Sequence, residues 1–161
     1  MMDAQKLKTL VLTRLRAATL DDLQKATDVQ REATADAIHE EARSEGSKDT
    51  RAIEQQYLAR GLALRVEALG EGLAALNAMS LLEFPVGSRI ALSALITLTS
   101  DQGEEQRYFL APAEGGRQLA INGDVIRIVT PKSPLGLALV GRSAGDAVLK
   151  GGIEWEVTHI E

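Results

Sequence analysis

Apolar positions in the first half of the chain recur at helical spacing. From about Asp3 to Arg43 the sequence is rich in Ala, Leu, Gln, Lys, Arg and Glu, all good helix formers. A stripe runs through Leu12, Leu15, Thr19, Leu23, Ala26, Gln30, Ala33 and Ala37, alternating steps of three and four as a coiled-coil seam does. It begins in Leu and ends in Ala, so the far end is predicted to bring two helices close together. Leu7, Leu10 and Val11 widen the apolar surface near the start, whereas Val29 and Ile38 fall off the stripe. Gly46 then offers a helix stop, and Ser47 or Asp49 offers a side-chain oxygen to cap a new helix. A return helix is predicted over about Asp49 to Met79. It carries two neighbouring stripes, one through Ile53, Tyr57, Gly61, Leu64 and Ala68, the other through Leu62, Val66, Leu69, Leu73 and Leu76. Two stripes imply more than one partner surface.

At Phe84-Pro85-Val86-Gly87 the helical pattern stops, and beyond it the period changes to two. Strands are predicted at Arg89–Thr99, Gln106–Ala111, Asp124–Thr130, Asp146–Leu149 and Ile153–Ile160. In the last, Ile153, Trp155 and Val157 alternate with Glu154, Glu156 and Thr158, which suits a sheet with one wet face. Between strands, Ser133 is placed to cap a short helix that has Pro134 at its first position and Gly141 closing it. The predicted fold class is α+β. Residues 1–82 form an antiparallel coiled-coil hairpin with its tip at about 43–50, and residues 83–161 a small antiparallel sheet domain with one short helix.

Composition sharpens this division: all 4 prolines lie after residue 82. There is no cysteine, which excludes a disulfide framework and thiolate metal sites. The N-terminus shows no leader pattern and no apolar run long enough to span a membrane, so a cytoplasmic protein without membrane contact is expected. Net charge is −5, and both halves are acidic. A protein that grips DNA or RNA directly shows a basic face and stacking aromatics, but aromatics are 3% here and no Lys/Arg cluster is present. Any action on nucleic acid is expected to pass through another protein.

Chemistry-bearing residues concentrate at the tip, where Glu40, Glu41, Glu45 and Asp49 alternate with Arg43, Lys48 and Arg51. Such a cluster also serves simply to solvate a turn. His39 and His159 are far apart in sequence, which argues against a histidine-based site. Ser133 lacks a nucleophile elbow and a paired base, so a capping role fits it better than catalysis.

The stretch Thr130-Pro-Lys-Ser-Pro-Leu-Gly-Leu-Ala-Leu-Val-Gly-Arg-Ser-Ala-Gly-Asp146 resembles the "SPLGRALLGKxxGD" signature of the C-terminal domain of the GreA/GreB family of bacterial transcription elongation factors. Pro85-Val-Gly-Ser-Arg looks like that family's "VxxGSxV", and Gly152-Ile-Glu-Trp-Glu-Val-Thr-His-Ile like its closing "xxYEVxxI". The resemblance covers residues 84–161, and residues 39–61 look like a divergent branch. It implies an FKBP-like docking domain on RNA polymerase and a coiled coil that enters the polymerase secondary channel. It further implies a monomer, with nucleic acid met only through the polymerase. Partner contacts are expected at Ser133, Pro134, Leu135, Gly136, Arg142 and Asp146.

Well-known members carry an Asp and a Glu in a "GDLxEN" tip that help to hold a second Mg²⁺ for cleavage of backtracked RNA. The chain is then no enzyme and has no cofactor of its own; it lends oxygen ligands to a metal shared with the polymerase. Here Gly46 is followed by Ser47-Lys48-Asp49-Thr50, so the tip departs from that pattern. Asp49 is the first positional candidate for the catalytic and metal-holding carboxylate and Glu45 the second. A channel-occupying regulator without cleavage is the alternative, and a coiled-coil oligomerisation module is a third reading. The FKBP likeness also raises prolyl isomerisation, but one Trp, two Tyr and two Phe spread along the chain do not make an aromatic-lined pocket.

Overall fold

The computed structural model describes residues 2–43 and 50–161. Helices α1 (Ala4–Arg43) and α2 (Thr50–Ala78) form a hairpin. They are followed by strands β1 (Leu95–Ser100), β2 (Glu105–Leu110), β3 (Gln118–Ile121) and β4 (Asp124–Val129), helix α3 (Pro134–Leu139), and strands β5 (Ala147–Lys150) and β6 (Ile153–Ile160). Packing divides the chain into two compact units, Ala17–Ala74 and Met1–Arg16 with Ala75–Glu161. Helix α2 ends at Ala78, and the feet of both helices pack with the sheet.

In the unit Ala17–Ala74, the stripe predicted on α1 is the covered one. Thr19, Ala33 and Ala37 are buried, Leu23, Ala26 and Gln30 are half-buried, and Val29 and Ile38 point to solvent. On α2 the two stripes separate. Leu69 is buried with Leu62, Val66 and Leu73 half-buried beside it, and Ala52 continues that face toward the tip. The other stripe faces water: Ile53 is 47%, Tyr57 69% and Leu64 60% exposed.

In the other unit a six-stranded sheet of order β3-β4-β2-β1-β6-β5 lies between two apolar layers. One face meets Leu7, Val11, Leu12 and Leu15 of α1 and Leu76 of α2, packed with Leu95, Phe109, Ile126 and Ile128. On the opposite face Leu139 of α3 packs with Ile96, Leu98, Tyr108, Val129, Val148, Trp155 and Val157. Because β1 is central and covered on both faces, Leu95, Ile96, Thr97 and Leu98 are all buried, a continuous rather than alternating pattern. β6 alternates as its sequence predicts, with Trp155 and Val157 in and Glu154 and Glu156 out.

Three local features differ from the predicted strands. β1 begins at Leu95 rather than Arg89. Ser93, at φ 75°, turns the chain, and its hydroxyl accepts a hydrogen bond from the Leu82 amide at 2.8 Å. Arg89 keeps only an isolated bridge to Ser143. β3 was not predicted; it pairs with β4 across Asn122-Gly123, whose φ values of 52° and 81° suit the tight hairpin turn that Asn-Gly favours. The sheet is antiparallel in every pair except β2 with β4, which run parallel. Inserting β3 lets the chain cross over and bring β4 back beside β2.

Lys8 is the unexpected member of this unit. It is 1% exposed, yet its ammonium donates to the main-chain oxygens of Leu82 and, at 3.2 Å, Glu161, and lies 4.7 Å from the centre of the Phe84 ring. It ties the foot of α1 to the segment leaving α2 and to the end of β6. Among the described residues no helix is long and apolar enough to cross a membrane.

Candidate functional site

The segment Ser133–Asp146 is built by its own sequence. Ser133 sits in extended conformation as the N-cap of α3; its hydroxyl accepts from the Gly136 amide at 3.1 Å and donates to the Thr130 carbonyl at 2.8 Å. Pro134 occupies the first helical turn, where a missing N–H costs nothing. Gly136 is buried so tightly against the preceding loop that an added Cβ would lie 1.7 Å from the Thr130 oxygen. Gly141, at φ 82°, ends the turn with its amide bonded to the Ile90 carbonyl. Asp146 closes the next loop by accepting from the Ser143 amide at 2.9 Å.

The six residues expected to meet a partner thus come together on one short stretch with different local tasks. Ser133, Gly136 and Asp146 hold the stretch in shape. Leu135 is half-buried against the Trp155 core. Pro134 and Arg142 face solvent, with the Arg142 Nε donating to the Ala138 carbonyl at 3.2 Å.

Sequence reasoning missed the outward apolar pair on the same element: Leu137 is 70% and Val140 46% exposed. The signal was present, since Gly136 and Leu139 point inward at a spacing of three and Leu137 and Val140 then share the outward side. Beside α3 lies a cavity of about 460 Å³ lined by Tyr108, Gly115, Gly116, Gln118, Arg127, Ile128, Val129, Thr130, Ser133 and Leu135. Its wall is mainly apolar, and Arg127 brings a cation to it. Burial pushes the Tyr108 phenol above its ordinary value, with Arg127 opposing, and its hydroxyl donates to Gln106 at 2.8 Å. Neither Tyr108 nor Arg127 carries a local sequence signal, because β4 reaches β2 only through the crossover.

The tip candidates Asp49 and Glu45 lie outside the described residues. Glu40 and Glu41 lie in the last described turn of α1, which ends at Arg43, and His39 faces solvent near them. Among the described residues no group of three His, Cys, Asp or Glu side chains comes together to hold a metal ion.

No protein-family model matches this chain, and no curated protein does. Among solved structures, the GreA factor homolog 1 (Gfh1) protein of Thermus thermophilus is similar at 22% identity over 91% of this chain and 94% of that one, with a TM-score of 0.37. A second structure of the transcription factor Gfh1 is similar at 20% identity, over 90% and 92%, with a TM-score of 0.37. Thermus aquaticus Gfh1 gives 19% identity over 89% and 92%, with a TM-score of 0.36. Likeness at this level transfers no residue's role to this chain.

Proposed function

We propose that this chain is an RNA polymerase-binding transcription factor of the GreA/GreB type. Residues 83–161 dock on the polymerase, and residues 1–82 carry the hairpin into its secondary channel. The observation that supports this reading most is the segment Ser133–Asp146. The residues that resemble the family signature are those that fix α3, and the fixed helix presents Leu137 and Val140 outward, while Ser133 and Leu135 line an apolar cavity. A preformed apolar face loses little entropy on binding, which favours docking of a protein surface. The long hairpin and its acidic tip supply the other half of the reading.

At the tip, Asp49, with Glu45 second, lends a carboxylate to a Mg²⁺ ion that belongs to the polymerase. Bound there, such an ion activates water for hydrolysis of the backtracked RNA. The chain's own contribution is to bring a hard oxygen ligand to a metal that favours oxygen. The factor therefore works in the cytoplasm, with the catalytic centre belonging to its partner.

The departure of Gly46-Ser47-Lys48-Asp49-Thr50 from the family's tip pattern favours a second reading, in which the hairpin fills the channel without stimulating cleavage. One experiment separates the two: RNA cleavage in purified backtracked elongation complexes with the wild-type chain, Asp49→Ala and Glu45→Ala. Faster cleavage by wild type that is lost in Asp49→Ala, with polymerase binding unchanged, supports the metal-holding tip. Binding without cleavage assigns the second reading, and absence of binding overturns both.

A further inference from the structure

The exposed stripe of α2 has the form of a second helix-pairing seam. Ile53, Tyr57, Gly61, Leu64 and Ala68 follow one another at steps of four, four, three and four, and all five face solvent. Gly61 stands at the centre of this stripe. Its backbone is not in a left-handed conformation, and a Cβ there would meet nothing within 4 Å. Among the described residues nothing therefore requires glycine at a position where alanine would make a better helix. A glycine in the middle of an exposed apolar seam is explained by the close approach of another helix.

We infer that the stripe is covered by the same stripe of a second copy of this chain, with the two α2 helices antiparallel and crossing at Gly61. The seam is complementary to itself in that arrangement. Tyr57 of one copy meets Leu64 of the other, the large Ile53 meets the small Ala68, and the two glycines meet at the crossing. Charge agrees along one edge, where Glu54 of one copy comes beside Arg65 of the other and the two-fold axis makes the pair twice. On the other edge Arg60, which lies 6.0 Å over its own Tyr57 ring, faces its counterpart and opposes association. From Ile53 to Ala68 the seam spans about 23 Å at 1.5 Å per residue. Such a contact falls below the roughly 800 Å² per partner of a standard stable interface. The dimer is accordingly weak and concentration-dependent, and the docking monomer is released from it by dilution.

Sedimentation of the full chain without polymerase tests this directly, so its outcome is independent of the polymerase reading. A monomer–dimer equilibrium is expected. The surface changes Tyr57→Glu with Leu64→Glu, and separately Gly61→Leu, should each weaken association by about tenfold or more while helix content is retained. Because the chain has no cysteine, single cysteines report the geometry cleanly. Oxidation should join Gly61→Cys chains to each other, and should join Tyr57→Cys to Leu64→Cys chains in a mixture. A monomer at every concentration overturns the inference, as does a dimer that survives Tyr57→Glu with Leu64→Glu. Preferential joining of Tyr57→Cys chains to one another, the mark of a parallel pair, overturns it as well.

Discussion

Gly136 and Lys8 show how unequal the information carried by single residues is. Around Gly136 the local code is nearly complete. A serine cap, a proline in the first turn and a closing glycine were readable in order, because each acts on backbone groups within a few residues. The reason for Gly136 itself was hidden, since the sequence does not show that the Thr130 carbonyl, held by Ser133, turns back onto this position. Gly136→Ala should cost about 3 kcal/mol or more, because the obstacle is backbone and cannot swing away, whereas Ser133→Ala should cost about 1 kcal/mol. Urea unfolding followed by the fluorescence of Trp155, the single tryptophan, gives both values.

Lys8 was not legible, because a lysine on an otherwise ordinary helix reads as solvent-facing. Its burial depresses its pKa from 10.5 to about 8, against the pull of Glu161 and Glu83. The folded state therefore sheds this proton at lower pH than the unfolded chain does. The sign follows: between about pH 8 and 10.5 the unfolded state holds more protons, so stability gains from this group as pH rises, and the cost of burying its charge is fully present below pH 8. Comparing urea unfolding of wild type with Lys8→Met from pH 7 to 10 should show a difference that moves in favour of wild type as pH rises. A constant difference would contradict the assignment.

Among the elements, α1 was readable almost residue by residue, since one stripe of a two-helix pair has only one place to go. On α2 the sequence offered two stripes of similar apolarity, and choosing between them depends on which one the partner helix covers. The strand β3 was missed although Asn122-Gly123 marks a hairpin, because Gln118–Ile121 is only 4 residues long, too short to show a period. Packing at the buried small positions of the hairpin should be unforgiving. Ala37→Leu is expected to lower stability by about 1–3 kcal/mol through overpacking, and Val29→Ala, on the exposed side, to change it by less than about 0.5 kcal/mol. Helix-monitored urea unfolding distinguishes these cases. On α3, Leu137→Glu with Val140→Glu should leave the unfolding midpoint nearly unchanged, because both side chains already face water.

For the molecule as a whole, the sheet domain and the local structure of Ser133–Asp146 were legible because the residues that resemble the signature are also the residues that make that structure. The cavity at Tyr108 and Arg127 was not, because it is assembled by the parallel pairing of β2 with β4 across a crossover. The central claim is that this outward face of α3 docks on RNA polymerase. Binding of the full-length chain to purified core polymerase, measured beside Leu137→Glu with Val140→Glu, tests it most directly. Saturable one-to-one binding by wild type, weakened about tenfold or more by the paired change at unchanged stability, is the predicted result. Wild-type chain that fails to bind, or a variant that binds as tightly as wild type, would contradict it.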